Sequence, residues 1–114
     1  MSTFTTWTTS ELLVLFESIQ FCQKTKRNDW ECVSNLVKQT MEETGMLMVE
    51  KYNGYGCASQ YNEFDIQHKE DAMKKDMSIV DFAVSYFRQL RVIELEKEIR
   101  EREAHIAELK SQLI

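Results

Sequence analysis

The chain contains no proline, only three glycines in 114 residues, and no CxxC pair. A β-rich fold needs turn residues roughly every 8–12 positions, so their scarcity leaves helix as the default element. Three cysteines, Cys22, Cys32 and Cys57, cannot all pair within the chain, and their odd number fits a reducing compartment. The two histidines, His68 and His105, stand far in sequence from each other and from the cysteines. The four clustered ligands of a structural zinc site are therefore not offered, and no metal or other cofactor is expected. No apolar run approaches the ~20 residues of a membrane span, and no secretory leader pattern opens the chain. These absences lead us to expect an intracellular, soluble protein.

Positive charge is also scarce. Residues 1–66 carry 5 basic against 9 acidic side chains and residues 67–114 carry 9 against 10, for a net charge of -5. Neither part has the cationic footprint that sequence-independent binding to nucleic acid or to an anionic membrane requires.

What is present is helical periodicity. Thr8 and Glu11 have the spacing of a capping box, and Leu12, Leu15, Phe16, Ile19 and Cys22 follow at three- and four-residue steps. Gln23–Arg27 reads as a polar turn. A second helix begins at Asn28, its expected N-cap, with Trp30, Val33, Leu36 and Val37 on its inner face and Gly45 as its stop. Residues 40–56 read as an inserted loop, with room for one helical turn, whose Met46–Val49 run folds back on the core, methionine being suited to irregular gaps, or else forms a lip for a partner. A third helix is expected from Asn53 or Tyr55 to Ile66, with Cys57, Tyr61 and Phe64 inward. Residues 67–77, rich in Lys, Glu, Asp and Met, read as a polar connector.

Ser78 can cap a last helix that meets no breaker before Ile114, about 50 Å of helix at 1.5 Å per residue. Its first part, through Phe82, Phe87 and Leu90, is apolar on more than one face and must be covered, by its own domain or by a partner. From Val92 the pattern becomes a heptad. Val92, Ile99, Ile106 and Leu113 fall at a, and Leu95, Arg102 and Leu109 at d, with Glu96, Glu98, Glu103 and His105 flanking. In a self-paired coil two copies of Arg102 would face each other, so the pattern points to a heteromeric coil whose other strand offers an acidic or polar residue there.

Catalysis has no foothold in the pattern. Cys22 and Cys57 lie on expected inner faces without a histidine at any recognisable spacing, and Asn53-Gly-Tyr-Gly56 is too short for a phosphate loop and lacks the following lysine. The expectation is a protein without enzymatic activity or a small-molecule substrate.

Trp7-Thr-Thr-Ser-Glu11, Asp29-Trp30 with Val33, and Cys57 followed four places later by Tyr61 resemble the Myb/SANT repeat. In that family three helices pack around three spaced aromatics; here Tyr61 stands where the third tryptophan is usual, and the 40–56 insertion stretches the spacing. The resemblance implies an all-α three-helix domain over residues 4–66, with Trp7, Leu12, Phe16, Ile19, Trp30, Val33, Val37, Cys57, Tyr61 and Phe64 as its core. Asp29–Ser34, the long insertion, and Cys57-Ala-Ser-Gln-Tyr61 with Glu63 further resemble the N-terminal region of the bromodomain-containing protein eight family. That resemblance implies a nuclear subunit of histone acetyltransferase complexes of the nucleosome-acetyltransferase (Tip-sixty) type. Its other subunits would be bound through the helix over 78–114, and histone tails are a further implied partner. The chain carries no bromodomain, so acetyl-lysine reading does not transfer, and the helical pattern running to the last residue leads us to expect a piece of a longer protein.

A Myb repeat that reads DNA does so from its third helix, using Lys, Arg or Asn at base edges. Between Asn53 and Ile66 this chain has no Lys or Arg and instead carries Glu63 and Asp65. DNA is therefore the alternative partner, and a self-associating coiled-coil scaffold the alternative architecture.

Overall fold

Each of the four α-helices starts where the sequence places a short side-chain oxygen ahead of it. The chain is described by a computed structural model, over residues 7–26, 29–45 and 49–113. Helices α1 (Thr9–Lys24), α2 (Trp30–Glu43), α3 (Gly54–Lys74) and α4 (Ile79–Gln112) follow in order, with a 3-10 turn at Val49–Tyr52 before α3. Among the described residues every regular element is helical, as the composition led us to expect, and the last helix is the longest at 34 residues.

Thr8 forms the full capping box: its hydroxyl accepts from the Glu11 N–H at 3.2 Å, and its own N–H donates to the Glu11 carboxylate at 2.7 Å. Asn53 and Ser78 cap α3 and α4 in the simpler way, accepting from Gly56 N–H and Asp81 N–H. In α2 the cap is Asp29, which accepts from Cys32 N–H at 2.7 Å. The expected cap, Asn28, lies outside the described residues; either residue type satisfies a first-turn N–H, so type alone could not choose the register.

Phe16, with no exposed surface, is the hub of the core. Its ring lies 5.1 Å from Phe64 of α3, 5.8 Å from Phe87 of α4 and 6.1 Å from Tyr61. Trp30 meets Tyr61 edge-on at 5.7 Å, and Trp7 meets Tyr52 edge-on at 5.3 Å. Leu15, Ile19, Val33, Val37, Met41 and Cys57 fill the space between the helices, while Leu12, Trp30 and Tyr61 are partly buried at its margin.

Two expectations need correction. The 67–77 connector is helix as far as Lys74, because Phe64, His68 and Ala72 form a one-residue-wide stripe at four-residue steps along the inner side of α3. His68 stacks on Phe64 at 4.3 Å and reaches Phe82 and Tyr86 of α4 at 6.0 and 5.0 Å. The helix stops in a Schellman turn: Asp76 takes φ 53°, its N–H bonds to Met73 C=O, and Met77 N–H bonds to Ala72 C=O.

The inserted loop over 40–56 is the second correction. Its first residues extend α2 to Glu43, Gly45 turns the chain with φ 84°, and the 3-10 turn leads straight into α3. Met46–Met48, from the apolar run expected to fold back, lie outside the described residues. Gly56 lets the 3-10 turn sit against α3: a Cβ there would come within 2.5 Å of Lys51 C=O, which only a backbone shift could relieve.

Helix α4 runs antiparallel to α1. Asp81 accepts from Gln20 at 2.8 Å, Arg88 pairs with Glu17 at 2.8 Å, and Glu94 accepts from Thr9 at 2.6 Å, so the partners descend α1 as the chain ascends α4. Val80, Phe82, Ala83, Val84 and Phe87 are buried against the other helices, with Leu90 partly so. Residues 7–74 therefore do not close their own core; the first half of α4 completes it.

Candidate partner interface

Helix α1 begins at Thr9, and Thr9 faces Glu94. Among the described residues, α4 has no element beside it beyond that point. Its remaining 18 residues, from Leu95 to Gln112, reach about 27 Å past the body at 1.5 Å per residue, within an overall length of 61 Å. Every described residue from Leu95 onward is exposed.

The heptad residues lie here. Val92, Leu95, Ile99, Ile106, Leu109 and Leu113 are all exposed, with Ile99 at 54 % and Ile106 at 50 % of their full surface. Arg102 interrupts the seam between Ile99 and Ile106 and is exposed. The flanks carry ion pairs, Arg91 to Glu94 at 3.2 Å and Lys97 to Glu101 at 3.9 Å, which support the helix and leave the apolar side clear. Phe82, Phe87 and Leu90, which the sequence left between domain and partner, pack on the body, with Phe64 6.1 Å from Phe82 and 5.2 Å from Phe87.

At the junction, the Thr9 hydroxyl and the Arg91 guanidinium hold the Glu94 carboxyl below the usual range. Of these contacts the Thr9–Glu94 hydrogen bond joins α4 to the start of α1, while Arg91–Glu94 lies within α4 itself.

A second exposed stripe was not read from the sequence. Tyr55, Ile66 and Met73 are 85 %, 80 % and 70 % exposed, and their separations of 11 and 7 residues put them on one side of α3. The 7-residue recurrence stands in the sequence, but reading 67–77 as a connector hides Met73. The exposed part of α3 up to Ile66 also carries Glu63 and no Lys or Arg.

Among the described residues a buried ion pair, Glu11 with Lys51, is structural in its geometry. Glu11, 1 % exposed, accepts from Thr8 N–H, from Lys51 Nζ at 2.8 Å and from the Tyr52 hydroxyl. Lys51 also lies over the Trp7 ring at 5.8 Å. Burial pushes the Glu11 carboxyl up, but the Lys51, Thr8 and Tyr52 hydrogen bonds and the Lys51 charge outweigh it and leave it lowered; burial and Glu11 together push the Tyr52 phenol well up. A lowered carboxyl stabilises the fold fully above its unfolded value and loses that contribution as pH falls through the folded one. Glu11→Gln is therefore expected to cost about 2–3 kcal/mol at neutral pH and to flatten the loss of stability below about pH 5, measured by denaturant titration across pH.

The Cys57 thiol is buried 3.4 Å from Tyr52 C=O, and burial pushes it up to about 11 against a small opposing effect of Lys38. Among the described residues no three His, Cys, Asp or Glu side chains cluster as metal ligands, and no helix is long and apolar enough to cross a membrane.

No protein-family model, curated protein or solved structure matches this chain. The functional reading thus rests on its residues and their geometry.

Proposed function

We propose that this protein is a non-catalytic interaction subunit of a chromatin-modifying histone acetyltransferase complex, acting in the nucleus. Its helical body is a SANT-like domain, and the outer half of α4 enters a heteromeric coiled coil with another subunit. The acidic body is left to meet a second subunit or a basic histone tail.

The single observation that carries the proposal is the seam from Val92 to Leu113, apolar at heptad spacing and exposed along its length. About three heptads are enough for a partner helix but give a marginal coil when self-paired, and Arg102 at a d position disfavours the self-paired form. The choice of complex is supported by the Trp7–Glu11 opening, the Asp29–Ser34 segment and the Cys57–Tyr61 pentapeptide, and by nothing geometric. DNA binding is the weaker reading, because Glu63 stands on the exposed part of α3 where phosphates would lie, with no cation before Lys69.

The test is affinity capture from nuclear extract with the full chain and with a chain ending at Glu98. Acetyltransferase-complex subunits should be retained by the first and lost by the second. Equal recovery by both, or no chromatin subunit with either, would overturn the reading.

A further inference from the structure

The end of α1 and the start of α2 meet on one side of the core and bring two thiols together. Cys22 lies in the last turn of α1 and Cys32 is the third residue of α2, and their Sγ atoms are 3.2 Å apart. A disulfide needs about 2.05 Å, so the two sulfurs stand about an ångström from bonding distance. Cys32 is half-buried and open to a small solute. Cys22 is almost wholly covered, yet it lines a surface cleft of about 210 Å³ with Asp29, Trp30 and Tyr61. The third thiol, Cys57, is sealed in the core and held protonated, so it does not compete.

We propose that Cys22 and Cys32 are an oxidisable dithiol, a modification site that a hydroperoxide converts into a disulfide joining α1 to α2. Cys32, as its thiolate, attacks one peroxide oxygen; the O–O bond breaks and the departing oxygen takes a proton and leaves as water or alcohol. Cys32 is then a sulfenic acid. The Cys22 sulfur attacks the Cys32 sulfur, the S–S bond forms, the S–O bond breaks, and the hydroxyl leaves as water with the Cys22 proton. Two thiols have lost two electrons and two protons, and the hydroperoxide has been reduced by the same two electrons.

The bond closes an 11-residue loop, from Cys22 to Cys32, and so restricts the unfolded chain. It locks the pair of helices that carries Trp30 and the α1 face on which α4 lies. Oxidation therefore stiffens the body and does not touch the seam beyond Glu94, so this inference stands or falls apart from the proposed function.

The test treats the reduced full chain, under native conditions, with hydrogen peroxide, then blocks remaining thiols and reads the digest by mass spectrometry. The expected result is loss of two hydrogens from the intact monomer, a peptide pair linked through Cys22 and Cys32, and Cys57 labelled only after denaturation. The melting temperature should rise by about 5–10 °C and return on adding dithiothreitol. In Cys22→Ser, Cys32 should persist as a sulfenic acid that dimedone traps. Oxidation of Cys32 to sulfinic acid without a link in the unsubstituted chain, dimers joined through Cys32, or a link to Cys57 would each overturn the proposal, and those readouts hold even if the serine variant fails to fold.

Discussion

A chain ending at Asp76 will fail to melt cooperatively, whereas one ending at Glu98 will keep the transition of the full chain to within a few degrees. The first cut removes Val80, Phe82, Ala83, Val84 and Phe87, five buried side chains, and uncovers Phe16 and Phe64, whose rings rest on Phe87. At about 1.5–3 kcal/mol for each large side chain returned to water, the loss is on the order of 10 kcal/mol. That is comparable with the entire net stability of an ordinary domain, about 5–15 kcal/mol. The second cut keeps all of these together with the Gln20–Asp81, Glu17–Arg88 and Thr9–Glu94 contacts, and discards only exposed helix. Near-ultraviolet circular dichroism and calorimetry separate the outcomes. A sharp transition in the shorter chain, at the melting temperature of the full one, would mean that the three-helix segment is self-sufficient and that α4 merely rests on it.

The four helices were legible because their beginnings are local. Thr8 with Glu11, and Ser78 with Asp81, announce caps whose donors lie within one turn, and the apolar steps from Leu12 to Cys22 or from Val92 to Leu113 need no knowledge of what covers them. The extent of α3 was not legible, because what continues it is Phe64, His68 and Ala72. A histidine and an alanine amid charged residues carry no apolar signal until Phe82 and Tyr86 are seen packed against the histidine. The same limit hid half of Glu11. Its capping role is read three residues away, while its partners Lys51 and Tyr52 stand 40 and 41 residues along, in a segment whose sequence reads as a loop. Likewise, composition could say that Phe82 and Phe87 must be covered but not by what. Antiparallel contact with α1 decides that, and the length of α1 then decides where the exposed seam begins.

Replacing Ile99 and Ile106 together by Asp will abolish capture of the partner while leaving the body intact. Both side chains are about half exposed, both lie beyond Glu94, and neither touches the core, so the melting temperature should move by no more than a degree or two. In a coil each would be a central knob, and a carboxylate buried there without a partner costs about 2–4 kcal/mol, so the pair lowers affinity by at least a hundredfold. Arg102→Leu gives the opposite sign in a different assay. Removing the charge that opposes self-pairing leaves an uninterrupted Leu95, Ile99, Ile106, Leu109 seam, and sedimentation should then show a larger homodimer fraction than the unsubstituted chain gives at the same concentration. The two results together would identify the surface and test whether Arg102 turns it from a copy of itself toward another chain. Full capture by the Asp-substituted protein would move the interface off α4, and the stripe of Tyr55, Ile66 and Met73 on α3 would be the surface to replace next.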